Sequence, residues 1–402
     1  MNASLKQDIN RLFSLHPCHF LKENFLKIDE VFAIVFYGRS GSVFLQSLFD
    51  NHPHVLMLPG TFLMKYFNFW ELYGHLLKQE LICRFTGYFA PFFDIYSDAE
   101  NGQWAHPAIE LSFDCMGEDR NESLGIKKNE FTEIMMILLE KIDKCSRRVF
   151  FQAIHVAYSI SLRRASNLDL TRLPIIIYQS HTPYNSIDLL LNDFPKLKII
   201  HSVREPLQTL GSHFKHHLKA YVLRRSYGDA FPFLGPQRSR AVKLEDLHIN
   251  PKIVLEKLCA WMGLSWADSL LESTFDGKKW WNLRDSTQIS GFNKLIISKN
   301  HDDVFFKIDK YRLRVLYWKR YKYWNYENKK NNFLEKLILL PLLLLPFKIE
   351  LLCWKKEYQE KKFLDFLIST VLEWWYTRRL FIRGALLYCL SLNRQIREVE
   401  LI

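Results

Sequence analysis

The sequence predicts an α/β protein in which a central, mainly parallel sheet is flanked by helices and followed by a helical C-terminal extension. Three observations lead there. A continuous apolar run of strand length occurs at Val31-Phe32-Ala33-Ile34-Val35-Phe36, and plausible buried strands rich in branched apolar residues occur at Leu173 to Gln179 and at Leu197 to Val203. Such runs are expected of strands buried on both faces. Two of these strands lead into segments that place backbone donors, an arginine and a serine hydroxyl after them, and beyond residue 300 the composition turns basic, aromatic and helical.

The first run enters Tyr37-Gly38-Arg39-Ser40-Gly41-Ser42-Val43-Phe44. Gly38 and Gly41 permit a tight backbone path, and from Val43 to Asp50 the apolar spacing becomes helical. A strand, glycine loop and helix in this order aim successive N–H groups at one spot, where an anion binds. Arg39 and Ser42 add a charge and a hydroxyl. The same two glycines also serve a simple turn. The segment departs from the G-x-x-x-x-G-K-[ST] pattern of nucleotide triphosphatases, because no lysine precedes Ser42 and the glycines are too close together.

The strand over 197–203 ends at Arg204-Glu205-Pro206. Proline at the first helical position opens a helix, and Ser212 follows Arg204 by just over two turns. Ligands of open α/β sheets bind at this edge of the strands. A salt bridge from Arg204 to Glu205, with Ser212 on a helix surface, accounts for the same residues.

Together, the order and spacing of these segments resemble the sulfotransferases that use 3′-phosphoadenosine 5′-phosphosulfate, whose fold is related to that of the P-loop proteins. The resemblance implies that Gly38, Arg39, Ser40, Gly41, Ser42, Val43 and Phe44 form the loop around the 5′-phosphosulfate. Arg39 takes the place of the basic loop residue, Ser42 binds the 5′-phosphate and Phe44 stands where an aromatic ring stacks on adenine. Arg204 and Ser212 correspond to the arginine and serine that hold the 3′-phosphate.

Further segments extend the likeness. The strand ending Tyr178-Gln179-Ser180-His181-Thr182-Pro183 presents His181 where cytosolic members carry a histidine general base, with Gln179 and Ser180 replacing the usual lysine and threonine. Members that use a glutamate near the second strand differ, since Val55 to Thr61 contains no carboxylate. A strand-end histidine satisfied by backbone explains His181 equally simply. Ala241 to Leu247 is expected as a short strand carrying Glu-Asp-Leu, followed by Asn250-Pro251 and a helix to Gly263-Leu264. Asp276-Gly277-Lys278-Lys279-Trp280-Trp281 sits where the family places a basic loop over the 3′-phosphate, which makes Lys278 and Lys279 candidate donor contacts; a solvated turn is the alternative.

The residue types suit the chemistry this implies. Transfer of a sulfuryl group requires an acceptor oxygen relieved of its proton, and an imidazole of near-neutral pKa serves. Arg39 would meet charge developing on the transferred group. No metal is required or expected. The expected function is transfer of the sulfuryl group of 3′-phosphoadenosine 5′-phosphosulfate to a hydroxyl-bearing acceptor such as a carbohydrate, glycolipid or small molecule. The alternatives are a P-loop kinase of small molecules and a non-catalytic, membrane-associated nucleotide-binding protein.

A chain of 402 residues with 48% hydrophobic content can bury a large core. Its formal charge of +12 suits an anionic partner; nucleic acid is not the partner expected. Seven cysteines without paired spacing indicate neither a disulfide framework nor a zinc site, and the first thirty residues lack the apolar core of a secretory signal. A cytoplasmic setting is expected. The chain divides into an N-terminal segment (1–27), the α/β domain (28–300) and the extension (301–402). Within the domain, residues 61–170 are helical and aromatic, and Phe62, Tyr66, Phe67, Trp70 and Tyr73 either line an acceptor pocket or form ordinary core. His213, His216 and His217 share a helical face and read as a basic surface.

From Tyr311 to Asn325 arginines and lysines alternate with tyrosine and tryptophan, and Leu337 to Phe347 is apolar but too short to span a bilayer of about 30 Å. This stretch fits a helical layer packed on the α/β domain. It also fits a segment lying at the headgroup level, which makes the chain a candidate for membrane-surface contact through 305–355.

Overall fold

The computed structural model describes residues 3–60, 63, 65–90, 93, 115–122, 124, 126–162, 164–180, 183–219, 223, 233–282, 289–326, 341–360, 362–390 and 400–402. Its centre is a five-stranded parallel sheet flanked by helices, with the order β2-β3-β1-β4-β5. The strands are β1 (Val31–Phe36), β2 (Val55–Met57), β3 (Ile175–Ser180), β4 (Lys198–Val203) and β5 (Ser239–Lys243). β3 pairs in parallel with β1, Val31 opposite Ile176 and Val35 opposite Ser180, and on its other side with β2, Val55 opposite Ile175. Every residue of β3 is buried, as a parallel strand covered on both faces requires.

By compactness the chain forms two units. One comprises residues 1–35, 42–200 and 246–293; the other comprises 36–41, 201–245 and 294–402. In the first unit the long helix Arg147–Ser161 starts at Ser146, whose side chain accepts from the Val149 N–H, and it is buried from Phe150 through Ile160. Tyr66 is fully buried and donates to the Arg147 carbonyl at 2.6 Å, with its ring against Phe67, Trp70 and Phe151. Tyr66 is therefore core. Phe62 lies outside the described residues. The helix Pro251–Met262 opens on proline and closes at Gly263, whose φ of 73° is the left-handed cap that glycine adopts without strain.

In the second unit the helix Pro206–His217 supplies Leu207, Leu210 and Phe214 to an apolar cluster with Leu313, Leu316, Tyr317, Tyr321, Leu343, Phe347 and Phe381. The C-terminal extension thus packs on the helix that follows β4, as one of the two expectations held. Within 311–324, Arg312, Tyr317, Arg320, Tyr321 and Trp324 are buried, while Arg314, Lys319 and Lys322 are exposed. Two ion pairs are buried with them, Arg312 with Asp309 and Arg378 with Glu350, the latter at 2.6 Å. Residues 337–340 lie outside the described residues. The helix Phe363–Leu390 does the opposite and leaves Leu364, Leu367, Ile368, Val371, Leu372, Trp375 and Tyr376 exposed along one stripe.

Two local expectations require correction. Glu245, Asp246 and Leu247 are helical, in Leu244–Ile249, and the strand stops at Lys243. The helix after the glycine loop is also shorter than its apolar pattern, covering Ser42–Ser47 before a turn through Asp50.

Candidate active site

Within the second unit the glycine loop after β1 meets β4 and the helix that follows it. Gly38 and Gly41 both adopt left-handed backbone, with φ of 62° and 83°. Both also sit in close quarters: a Cβ on Gly38 would lie 3.1 Å from His213 Nδ1, and one on Gly41 would lie 2.4 Å from Leu244 Cδ1. Between them the loop is tied down by its own polar groups. The Tyr37 N–H donates to Ser40 Oγ at 3.3 Å, and Ser202 Oγ of β4 donates to the Ser40 carbonyl at 2.9 Å. Arg39 reaches from the loop to Ser212, its Nε donating to Ser212 Oγ at 3.4 Å.

Arg204 follows β4 directly and is 8% exposed. Its guanidinium donates to the Ile296 carbonyl at 3.3 Å, and its own carbonyl accepts from Thr209 Oγ1 at 3.4 Å. Glu205 caps the helix Pro206–His217, accepting from the Gln208 N–H at 2.7 Å. This carboxylate satisfies the helix terminus. Burial raises the affinity of Glu205 for a proton; the hydroxyl of Tyr321 and the charge of Arg314 offset it in part. Gly211 permits the segment after residue 294 to cross this helix, since a Cβ there would fall 1.9 Å from the His301 carbonyl.

In the first unit, Ser42 is buried and accepts a hydrogen bond from Gln179 Nε2 at 3.0 Å. That leaves the Ser42 hydroxyl proton for another acceptor. Val43 is half-buried. Phe44 stacks on His248 with ring centroids 4.7 Å apart and planes 6° apart, and meets Phe292 edge-on at 5.3 Å. His181 lies outside the described residues, immediately after the end of β3.

Lys278 and Lys279 form one strand of a hairpin, pairing with Thr274–Phe275 across a turn in which Asp276 and Gly277 both have positive φ, 55° and 68°. Asp-Gly is the sequence such a two-residue turn favours. Lys278 lies 3.6 Å from Glu122, and Lys279 lies 2.9 Å from Glu118 with its ammonium over the Trp281 ring. Asp276 is pushed up to about 6 by burial, and the charge of Asp50 adds to the shift.

Several groups at the site carry no motif. Tyr37 shares a 2.8 Å hydrogen bond with His201 Nδ1, and the two rings are stacked. Burial drives the imidazole of His201 down to about 3, so it is neutral. Gln179 was legible only as a departure from lysine. His213 read as part of a basic surface, yet it is buried against Gly38.

The profile described as the sulfotransferase family matches residues 32–268, more than half of the chain, and the chain belongs to that family. Membership makes it a transferase that takes a sulfuryl group from a sulfonate donor to a hydroxyl-bearing acceptor. Among solved structures, the chain is similar to the sulfotransferase domain of the Synechococcus PCC 7002 olefin synthase at 16% identity, over 68% of this chain and 84% of that one, with a TM-score of 0.32. It is similar to the sulfotransferase domain of the curacin biosynthetic pathway at 16% identity, over 68% and 87%, with a TM-score of 0.33. For sulfotransferase STF9 of Mycobacterium avium the values are 11%, 66% and 74%, and 0.33. At these scores the likeness bears on no residue of the site. No curated protein matches the chain. Among the described residues no helix is long and apolar enough to cross a membrane, and no group of three or more His, Cys, Asp or Glu could hold a metal ion.

Proposed function

We propose that this sulfotransferase uses 3′-phosphoadenosine 5′-phosphosulfate and acts on a hydroxyl of a carbohydrate or glycolipid. One observation carries the donor assignment: Arg39 of the loop after β1 rests on Ser212 of the helix after β4, so groups suited to two phosphates converge within one unit. The residues fit such a donor. Arg39 and Arg204 present guanidinium groups, which form charge-assisted hydrogen bonds with phosphate oxygens. Ser42 keeps its hydroxyl proton available because Gln179 donates to its oxygen.

When bound, the donor supplies an electrophilic sulfuryl group. The loop from Gly38 to Phe44, with Arg39 and Ser42, holds the 5′ end and meets charge that develops there. Arg204 and Ser212 hold the 3′-phosphate. His181, adjoining β3, takes the proton of the acceptor hydroxyl, and its imidazole needs no metal to do so.

Calorimetric titration of the full chain with 3′-phosphoadenosine 5′-phosphate tests this reading. The expected result is tight binding, at least about tenfold weaker for the analogue without the 3′-phosphate, equivalent to about 1.4 kcal/mol. Equal affinity for both, or a requirement for magnesium and ATP, would overturn it. With a labelled sulfuryl donor and a cell extract as the acceptor source, His181→Ala is expected to lose turnover and keep nucleotide binding; near-normal turnover would remove His181 from the role.

Peripheral membrane contact is part of this proposal. Leu344, Leu345, Leu351 and Leu352 within 305–355 are exposed, as is the stripe of Phe363–Leu390, in which Leu372 is 62% and Trp375 57% exposed. Exposed Lys355, Lys356, Lys362 and Arg379 border these residues, a pairing of apolar and basic groups that suits an anionic bilayer surface. Flotation with phosphatidylserine vesicles, lost on Leu372→Asp, is the expected outcome; equal flotation of both proteins would count against it.

A further inference from the structure

We propose that Tyr321 and Trp324, far downstream of the residues the family profile matches, are positioning residues of the donor site. The role rests on the donor reading above and adds to it a contribution from the C-terminal extension.

Trp324 is 2% exposed, and its ring lies 5.5 Å from that of Tyr37 and 5.0 Å from that of His201. Tyr37 immediately precedes Gly38, and His201 stands on β4 three residues before Arg204. The hydrogen bond between Tyr37 and His201 therefore ties the origin of the glycine loop to the strand that carries Arg204, and Trp324 packs on both members of the tie. The Arg320 guanidinium lies 5.7 Å from the Tyr37 ring centroid and holds the same ring from the extension.

Tyr321 acts at the other end. Its hydroxyl donates to Glu205 Oε1. The second oxygen of Glu205 accepts the Gln208 N–H, and the Glu205 N–H donates to Glu245 Oε1 at 3.0 Å. That N–H belongs to the peptide group joining Arg204 to Glu205, so the backbone from which the Arg204 side chain springs is fixed by the two carboxylates. Each carboxylate in turn accepts a phenol from the extension, Glu205 from Tyr321 and Glu245 from Tyr326 at 2.8 Å. Without the phenol, the two half-buried carboxylates repel one another and the cap loosens. The segment that reads as a headgroup-level stretch is thus a wall behind the anion-binding groups.

The test is nucleotide affinity in the full chain with Tyr321→Phe, which deletes one hydroxyl. Tyr317→Phe is the control: it deletes a buried hydroxyl of the same segment, which donates to the Leu223 carbonyl at 3.2 Å. The dissociation constant for 3′-phosphoadenosine 5′-phosphate should rise about tenfold in Tyr321→Phe. Affinity for the analogue lacking the 3′-phosphate and the thermal midpoint should hold. In Tyr317→Phe the nucleotide affinity should match the wild type. Trp324→Ala should weaken both nucleotides together, because it acts on the loop, and Trp324→Phe should restore most of the loss. Wild-type affinity in Tyr321→Phe, or an equal loss in Tyr317→Phe, would overturn the role. Failure of the wild type to bind the nucleotide at all would sink the donor reading first, and this role with it.

Discussion

Arg39 and Arg204 invite comparison with Lys278 and Lys279. All four follow or form strands, and the resemblance to the sulfotransferases implies all four as contacts to the donor. They differ in what they meet in the folded chain. Among their contacts, Arg39 donates to a serine hydroxyl and Arg204 to a backbone carbonyl, and a guanidinium pairs with phosphate through charge-assisted hydrogen bonds. The lysines meet Glu122 and Glu118, carboxylates that already balance their charge. The hairpin bearing them is accounted for by its Asp-Gly turn alone. Position in a motif fixes where a cation stands, and a carboxylate it meets after folding competes with a ligand for it.

The largest effect separating the two pairs should come from the arginines. Arg39→Ala is expected to lower turnover by about 10²-fold or more, as removal of an oriented donor does, and Arg204→Ala to weaken binding of 3′-phosphoadenosine 5′-phosphate by about 10- to 100-fold. Titration calorimetry and initial rates measure both, and losses below twofold would erase the distinction.

A smaller, pH-dependent effect is expected at the hairpin. The folded state raises Asp276 to about 6, so between about pH 4 and 6 the folded chain retains a proton that the unfolded chain has released. Stability therefore falls as pH rises through this window. Asp276→Asn, which tolerates the left-handed φ of 55°, should flatten that dependence and raise stability at pH 7 on the order of 1–2 kcal/mol. Urea unfolding from pH 4 to 8 reads it out, and parallel curves for both proteins would contradict the role of burial.

The smallest effect belongs to Lys279→Ala. Its pair with Glu118 is largely exposed, so a stability change of about 0–1 kcal/mol is expected, with nucleotide affinity changed by less than about threefold. A tenfold loss of affinity would return this lysine to the donor site.

The strands and the glycine loop were legible because their causes are local. Buried parallel strands write themselves as unbroken apolar runs, and Val31–Phe36 matches its run residue for residue. Gly38, Gly41 and Gly263 stand where positive φ is required. What escaped depends on partners distant in sequence. Glu245 lies in a helix where a strand was expected, and its carboxylate serves the Glu205 N–H and Tyr326. Tyr37, His201 and Trp324 carry no signal until the fold stacks them. In the extension, composition announced rings and cations without their direction: Arg312, Arg320, Tyr321 and Trp324 face inward, while Arg314, Trp375 and Tyr376 face outward.

The distances along the chain bear on biosynthesis. Tyr37 bonds a residue 164 positions later, and Glu205 a residue 116 positions later. At translation rates of about 5–20 residues per second, the glycine loop emerges roughly 8–33 s before His201, and Glu205 roughly 6–23 s before Tyr321. During that interval the nascent loop has neither tie, and its apolar strand is a natural client for chaperones. A message truncated before codon 321 would yield a polypeptide that keeps the recognisable motifs and lacks the wall behind them.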